Sequence, residues 1–226
     1  MNNELNFFGI KDVIGIDEVG IGCLAGPVVA CAVYLNYSII DEVINFKYNN
    51  KFGIQDSKTI YSEGIRYHIA NWLKGKIKHE ISIIEVDEIN IDNNIHISAA
   101  KARANACDKL IDNIGYIPDK ILIDGNDIYK RELLKYSKKA GSTSVNAIVK
   151  GDSKYYSIAA ASIIAKAFRD AYMGALPTTM ANYNFGKHKG YCTPEHISLI
   201  QKYGLCKQHR YFAKKFANKL DKEKKI

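Results

Sequence analysis

Four acidic residues stand where apolar or structure-forming segments of this sequence end, and together they could perform metal-assisted chemistry. Asp17 and Glu18 close the first apolar run, Asp124 closes the segment ILID, and Asp152 lies shortly before a long helix-forming stretch. Clustered carboxylates bind hard divalent cations such as Mg²⁺ or Mn²⁺ through oxygen. Two such ions about 4 Å apart can hold the attacking and the leaving oxygen of a phosphoryl displacement. The four acids therefore predict a two-metal site.

Each acid also has a simpler structural reading. Asp124 precedes Gly125, and Asp-Gly is a common turn pair. Asp152 beside a helix N-terminus is favoured there without any catalytic role. Asp17 and Glu18 are neighbours in a strand, so their side chains point to opposite faces unless a bend or bulge brings them together. Only the combination of the four favours the metal site.

The elements that must position these acids follow from hydrophobic periodicity, which predicts an α/β fold with a mixed sheet of about five strands. The predicted strands are Val13–Asp17, Val28–Leu35, Ile81–Val86, Ile121–Asp124 and Ser144–Val149, and the helices are Ser62–Leu73, Ile95–Ile114 and Ser157–Met173. The first two strands are expected to form a bulged hairpin through the intervening glycines. Small residues at the start of the last helix would let it approach the sheet closely.

The last part of the chain has a different character. Residues 174–185 read as a linker, and 208–220 as a basic helix. Between them Thr193 is a plausible N-cap, Pro194 suits a first helical turn, and Gly204 suits a C-terminal stop. We therefore expect a catalytic domain over residues 1–180 and a small C-terminal helical extension over 181–226.

Composition narrows the class of protein and its surroundings. The 226 residues carry 32 Lys and Arg against 24 Asp and Glu, a net charge of +8 that suits a polyanion such as nucleic acid but is also compatible with an ordinary basic surface. Five scattered cysteines favour free thiols in a reducing compartment over a disulfide framework. The first residues do not resemble a signal peptide, and no apolar run is long enough to span a bilayer. We expect a cytoplasmic monomer without membrane contact.

The order of six motifs resembles the ribonuclease HII family over residues 12–212. These are the block IGIDEVGIGCLAGPVVACAVYL, then DSK at 56–58, EINI at 88–91, ILIDGN at 121–126, KGDSKYYSIAAASIIAKAFRD at 150–170, and KHKGY at 187–191. The resemblance implies a ribonuclease-H-like fold. It also implies two-metal hydrolysis of the RNA strand of RNA–DNA hybrids and of ribonucleotides embedded in DNA, leaving 3′-hydroxyl and 5′-phosphate ends.

The resemblance also assigns residues. The family's acidic positions match Asp17, Glu18, Asp124 and Asp152 as catalytic residues and ligands of Mg²⁺ or Mn²⁺. Its ribose-recognition segment corresponds to Gly20, Ile21 and Gly22, and its recognition tyrosine to Tyr191. Only the 2′-hydroxyl distinguishes RNA from DNA at one nucleotide, and glycines let backbone groups approach it.

Ile21 is the main departure, because the family carries Arg between the two glycines. An arginine could bind a phosphate through a fork of donors, which isoleucine cannot do. We therefore hypothesise weaker affinity or junction selectivity. The stretch 92–98 is also less apolar than in the family, and the segment between Asp124 and Asp152 is longer than is common; both affect loops rather than acids.

Basic residues near the motifs are candidates for phosphate contacts, which position a duplex and make binding salt-dependent. Motif context favours this role for Lys58 and Lys187, whereas Lys154 and Lys189 are equally well read as solvated lysines. The predicted C-terminal basic helix would either extend the binding face or act as a solubilising surface; its basic residues are Lys207, Arg210, Lys214, Lys215 and Lys219.

Several other side chains have competing readings. Cys192, His196, Cys206 and His209 could in principle hold zinc, but their spacing is not one of the common zinc patterns. We read His188 as a loop histidine bonded to backbone rather than as a proton carrier. Lys166 and Asp170 form an i, i+4 pair, for which we prefer a structural role.

Three alternatives to a hybrid-specific endonuclease remain open at this point. The first is a hybrid-binding module with weakened catalysis, favoured by the basic charge and by Ile21 but opposed by the four retained acids. The second is a nuclease of the same fold that acts on DNA junctions. The third, the sister family ribonuclease HIII, usually has a lysine between the glycines and a longer N-terminal domain.

Overall fold

A long antiparallel hairpin forms the centre of the sheet. In the computed structural model, which describes residues 12–55 and 57–213 without the side chains of residues 178 and 179, β1 (Asp12–Val19) pairs with β2 (Val28–Asn36) in unbroken register from Asp12↔Asn36 to Val19↔Val29. The predicted bulge is therefore wrong. An eight-residue loop, Gly20–Pro27, joins the two strands.

Three further strands complete a mixed sheet in the order β3-β2-β1-β4-β5. β3 (His79–Ile84) pairs antiparallel with β2. β4 (Lys120–Asp124) runs parallel to β1, and β5 (Ser144–Ile148) runs parallel to β4. The predicted number, type and order of these elements in the sequence are confirmed.

Helices lie on both faces of the sheet and between its strands. Their bounds are α1 Ile40–Asn45, α2 Glu63–Lys76, α3 Val86–Asp92, α4 Ile95–Ile114, α5 Asp127–Tyr136, α6 Tyr156–Gly174, α7 Phe185–His188 and α8 Pro194–Tyr203. Short 3₁₀ turns occupy Ser57–Thr59, Ala140–Ser142, Gly151–Ser153 and Thr178–Tyr183. Among the residues described, no helix combines the length and apolarity that crossing a membrane requires.

The alternation of side chains along β1 separates two hydrophobic cores. Val13 belongs to the core beneath α2 and α6, whereas Ile14 and Ile16 belong to the core beneath α4. Gly15 faces α6 so closely that an added Cβ would lie 2.4 Å from the backbone carbon of Ser157. The helix that begins with small residues therefore approaches the sheet closely, and the approach shown is at a glycine of the strand.

The C-terminal segment packs against the loop between β1 and β2. The caps predicted for α8 are confirmed: Thr193 accepts a hydrogen bond from His196 N, Pro194 opens the helix, and Gly204 follows it. The linker prediction for residues 174–185 is wrong, because Met180, Tyr183 and Phe185 are buried with Ala25 and Met173. A methionine and two aromatic rings within a polar stretch supply enough apolar surface to anchor it.

The predicted basic helix over residues 208–220 is wrong for its first part, since residues 208–212 are not helical. Arg210 is buried rather than part of a basic surface. Lys207 belongs to the turn before it, while Lys214, Lys215 and Lys219 lie outside the described residues, as does Asp56 of the DSK motif.

Candidate active site

Asp17 lies inside β1, on the sheet face that α6 covers. Its side chain is 6% exposed, its Oδ1 accepts a 2.8 Å hydrogen bond from the amide of Glu18, and it also bonds the Ser162 hydroxyl. Burial raises the pKa of Asp17 well above its usual range, and the negative charges of Glu18 and Asp124 raise it further. A cation at this position would relieve the electrostatic cost.

Glu18 points to the opposite face, toward α4. Its Oε2 lies 3.0 Å from Nη1 of Arg103, which is completely buried, but the pair is not aligned as a hydrogen bond, and that Oε2 has no hydrogen-bond partner among the described residues. Arg103 also contacts Glu132 at 2.9 Å. Glu18 therefore keeps a buried oxygen whose hydrogen-bonding capacity is unused.

Asp124 ends β4, which lies beside β1 in parallel register. Because Ile16 pairs with Ile123, Asp124 stands one position further along, next to Asp17 and on the same face. Its Oδ1 accepts a 2.7 Å hydrogen bond from the amide of Gly151. Burial raises the pKa of Asp124, and the charges of Asp152 and Glu18 add to this effect, while the Gly151 hydrogen bond opposes it.

Asp152 occupies the 3₁₀ turn between β5 and α6, and Lys58 covers it. Its carboxylate is buried and lies 2.7 Å from Lys58 Nζ, whose side chain is 75% exposed. The exposed lysine, predicted to contact phosphate, is thus ion-paired in this structure. Its flexible stem would let it exchange one anion for another.

Asp17 is within electrostatic range of Glu18 and Asp124, and Asp124 is within range of Asp152, although Asp17 and Glu18 lie on opposite faces of one strand. The strand does not bend at these two residues, because β1 keeps its register with β2 through both of them. In the part of the chain that the structure describes, no three His, Cys, Asp or Glu side chains are arranged to ligate one ion together. The donor set nevertheless fits a hard divalent cation: it consists of carboxylate oxygens, two with raised pKa values and one without a hydrogen-bond partner.

Three of the ribose-recognition residues predicted from the motifs lie in the loop Gly20–Pro27, and the fourth, Tyr191, lies beside it. Gly20 has a φ of +101°, Ile21 is half-buried against the α4-side core, and Gly22 is exposed. Gly190 O accepts hydrogen bonds from Leu24 N and Ala25 N, which fixes the residue before Tyr191 against this loop.

Tyr191 is half-buried beside two cationic side chains. Lys166 Nζ and Arg169 Cζ lie 5.1 and 5.7 Å from the centroid of its ring. Lys166 also contacts Asp170 at 2.7 Å, which confirms the predicted i, i+4 pair.

The remaining candidates behave differently from one another. Lys187 is exposed and ion-paired with Glu195, and Lys154 is exposed, whereas Lys189 is buried and bound to Glu63 and to the backbone of Asp170. A phosphate role for Lys189 is therefore not compatible with this arrangement.

The proposed zinc residues do not converge on one point. Cys192 is exposed, while the Nε2 atoms of His196 and His209 face each other at 3.1 Å. Cys206 Sγ lies beside His209 Nδ1 at 3.2 Å. His188 bonds the carbonyl of Tyr183, which confirms the structural reading of that histidine.

Sequence reasoning missed three buried arginines that surround the site: Arg103, Arg169 and Arg210, all 0% exposed. A signal was present for two of them. Arg103 follows Ala99 by four residues on the apolar face of α4, and Arg169 follows Ala165 in the same way on α6. A cation on an apolar helix face must find buried partners.

A mixed sheet with this strand order and helices on both faces is a fold of the ribonuclease H type. Solved structures with the same fold include ribonuclease H2 from Pyrococcus horikoshii OT3 (TM-score 0.70, 23% identity, covering 93% of this chain and 99% of the other). Another is Bst-RNase HIII in complex with Mn²⁺ (TM-score 0.72, 22% identity, covering 96% of this chain and 72% of the other).

Sequence comparison is more specific. The family model for Ribonuclease HII matches residues 14–219. Ribonuclease HII of Caldicellulosiruptor bescii is 37% identical over 205 residues, which is 89% of this chain and 86% of the relative. The chain belongs to the ribonuclease HII family, and it is an endoribonuclease of the ribonuclease H type.

Proposed function

We propose that the enzyme cleaves the RNA strand of RNA–DNA hybrids, including single ribonucleotides embedded in DNA. Its catalytic centre is formed by four acids: Asp17, Glu18, Asp124 and Asp152. The observation that carries the proposal is the adjacency of Asp17 and Asp124 on one face of neighbouring parallel strands, where burial raises both pKa values and neighbouring carboxylates raise them further. Such an arrangement is costly for folding and is favourable for binding cations.

The four acids would hold Mg²⁺ or Mn²⁺, in keeping with the Mn²⁺ complex of the structurally similar Bst-RNase HIII. When bound, these ions supply a water nucleophile of lowered pKa and stabilise negative charge on the leaving 3′-oxygen. The protein's own contribution is orientation. The Gly151 amide fixes Asp124, the Ser162 hydroxyl and the Glu18 amide fix Asp17, and Lys58 is placed to neutralise a phosphate beside Asp152.

Selectivity for RNA would come from the backbone of Gly20, Ile21 and Gly22 together with the ring of Tyr191. The amides of Ile21 and Gly22 make no hydrogen bond to other described parts of the chain, so they are free to meet a ribose hydroxyl. Lys187, at the exposed end of the KHKGY motif, would contact a phosphate of the duplex.

We infer that the enzyme acts in the cytoplasm as a monomer and without membrane contact. Free cysteines, three of them buried, favour a reducing compartment. We further infer that residues 1–180 form the catalytic domain. Residues 181–226 would form an extension that supports the loop Gly20–Pro27.

The test is a cleavage and binding assay on a duplex with one ribonucleotide, with Mg²⁺ and Mn²⁺ compared. Asp124→Asn should lower kcat on the order of 10³-fold or more while leaving the Kd for the duplex within about threefold, because only the metal-binding charge is lost. The matched control is Asp127→Asn, an exposed acid at the start of α5, which should cleave like the wild type.

Three results would each redirect the assignment. Binding without cleavage by the wild type with either metal would favour a hybrid-binding module. Equal cleavage of an all-DNA duplex would favour a nuclease that acts on DNA. An active Asp124→Asn variant would remove that residue from the catalytic centre.

A further inference from the structure

Two buried guanidiniums hold the loop Gly20–Pro27 from beneath. Arg169, on α6, donates to Pro27 O at 2.9 Å and to Ala25 O at 3.0 Å, and also to Lys189 O at 2.9 Å. One side chain thus fixes two loop carbonyls together with the segment that leads to Tyr191.

Arg210, from the C-terminal segment, contacts the same loop at four carbonyls. Its Nε donates to Gly26 O at 2.9 Å, Nη1 to Ile21 O at 3.1 Å and Cys23 O at 2.9 Å, and Nη2 to Pro27 O at 3.1 Å. Its own amide donates to Leu24 O at 2.9 Å. The loop carbonyls are therefore turned inward along nearly the whole loop.

Neither guanidinium has an acidic partner among the described residues, although both are 0% exposed. A buried charge is costly, and a well-packed apolar side chain at such a position often gives equal or greater stability. The hydrogen-bonding pattern offsets the cost, because the donors reach carbonyl oxygens that the loop would otherwise leave unsatisfied.

The loop sequence matches this arrangement. An added Cβ on Gly20 would lie 2.5 Å from Arg169 Nε, and one on Gly26 would lie 2.3 Å from Met173 Sδ. Both glycines also have positive φ, +101° and +82°. With its carbonyls facing the arginines, the loop leaves the amides of Ile21 and Gly22 without acceptors in the described part of the chain.

We propose that Arg169 and Arg210 are positioning residues that lock the loop Gly20–Pro27 and Tyr191 into one rigid unit for reading a ribose. The inference rests on the proposed function. It assigns ribonucleotide selectivity in part to a side chain more than 180 residues from the loop. It also explains how this chain can present loop amides in a fixed geometry although position 21 carries isoleucine.

The experiment separates recognition from cleavage by using the inert Asp124→Asn background. Binding is measured for two otherwise identical duplexes, one all-DNA and one with a single ribonucleotide. The readout is the Kd for the all-DNA duplex divided by the Kd for the duplex with the ribonucleotide. In this background Arg210→Lys and Arg169→Lys should each lower that ratio roughly tenfold or more, because a lysine cannot hold several carbonyls and small displacements of recognition groups are costly. Arg131→Lys, an exposed arginine on α5, is the matched control and should keep the ratio.

Thermal melting of each variant shows whether it is folded. Amide hydrogen exchange at Leu24 and Gly26, whose amides donate to Gly190 O and Gln208 O, gives an independent readout. Faster exchange there, with slow exchange retained in β1, is expected for the positioning role. Variants that stay folded and keep both the ratio and the exchange rates would overturn it. If the background itself does not distinguish the two duplexes, the proposed function fails instead.

Discussion

Arg103 Nη1 lies 3.0 Å from Glu18 Oε2, at a site where the guanidinium is fully buried. The same group lies 2.9 Å from Glu132 Oε2 and 4.3 Å from the centroid of the Tyr129 ring. One cation thus balances an acid of the candidate centre and a second acid from α5. The pair links α4 to the active edge of the sheet.

Replacing Arg103 with leucine should therefore destabilise the protein by about 3 kcal/mol or more, because removal of one partner leaves a buried charge uncompensated. Urea unfolding followed by circular dichroism at pH 7 measures this, with Arg131→Leu as the exposed control. Adding Glu18→Gln to Arg103→Leu should restore part of the lost stability. A loss no larger than that of the control would show that the ion pair contributes little.

An arginine at position 21 is predicted to gain a contact with a phosphate of the duplex. Ile21 is half-buried, and its carbonyl is held by Arg210, so a longer side chain there would extend from a fixed backbone. Ile21→Arg should lower the KM for a duplex with one ribonucleotide several-fold and steepen the salt dependence by about one phosphate contact. Cleavage kinetics at 50 and 200 mM salt measure both, and Ile21→Gln controls for size. An unchanged KM and salt slope would mean that no phosphate lies within reach.

Much of the sheet could be predicted because its strands are short apolar runs between clear turn signals. The candidate acids could be found because each ends or follows such a run. The straight path of β1 through Asp17 and Glu18 could not be predicted, since two adjacent acids look like a strand end when neither partner is known. Their partners, Ser162 and Arg103, come from opposite faces of the sheet and from distant segments.

The C-terminal segment was the least predictable part. Lys207 and Arg210 look alike in a basic stretch, yet Arg210 is buried and donates to the carbonyls of Ile21, Cys23 and Gly26 in a single loop. Whether a cation faces solvent or carbonyl groups depends on a tertiary contact with residues near the other end of the chain, which local composition does not encode.

A chain of hydrogen bonds between buried imidazoles leads to an acid-stability prediction. Cys206 N donates to His209 Nδ1, and His196 Nδ1 donates to Tyr191 O, so in the neutral rings His209 Nε2 donates to His196 Nε2. The His188 ring stacks on His196 at 4.1 Å. Every ring in this arrangement is neutral.

Burial lowers the pKa of His196 and of His209 to about 4. The surrounding titratable groups are His188, Cys206 and Tyr183, with Glu195 acting on His188, and no carboxylate among the described residues contacts the two rings directly. Between pH 6.5 and 4 the unfolded chain binds protons that the folded protein excludes.

The stability that these rings contribute is therefore complete above pH 6.5 and is lost as the pH falls toward 4. Tm measured across this interval should decline, and His196→Asn, which retains a donor for Tyr191 O, should have a lower Tm at pH 7 but a shallower decline. His96→Gln, at the exposed start of α4, is the control and should keep the wild-type slope. Parallel curves for the wild type and His196→Asn would contradict the prediction.

The close approach of β1 and α6 leads to the last prediction, which compares two glycines. An added methyl group at Gly15 would lie 2.4 Å from the Ser157 backbone carbon and 2.5 Å from its Oγ, whereas at Gly75, in the last turn of α2, it would meet nothing within 4 Å. Gly15→Ala should destabilise the protein by about 3 kcal/mol, because backbone must move to remove the overlap. Gly75→Ala should stabilise it by up to about 1 kcal/mol through helix propensity.

Gly15→Ala should also reduce cleavage, since Asp17 lies two residues further on the same face and bonds Ser162 of the displaced helix. Urea unfolding and the single-ribonucleotide assay, performed on both variants, separate the two effects. A Gly15→Ala protein as stable as the wild type would mean that α6 can shift without cost, and the contact would then not fix the position of Asp17. If Gly15→Ala kept the wild-type stability but lost cleavage, the substitution would act on the catalytic residues at the sheet edge rather than on the packing of α6.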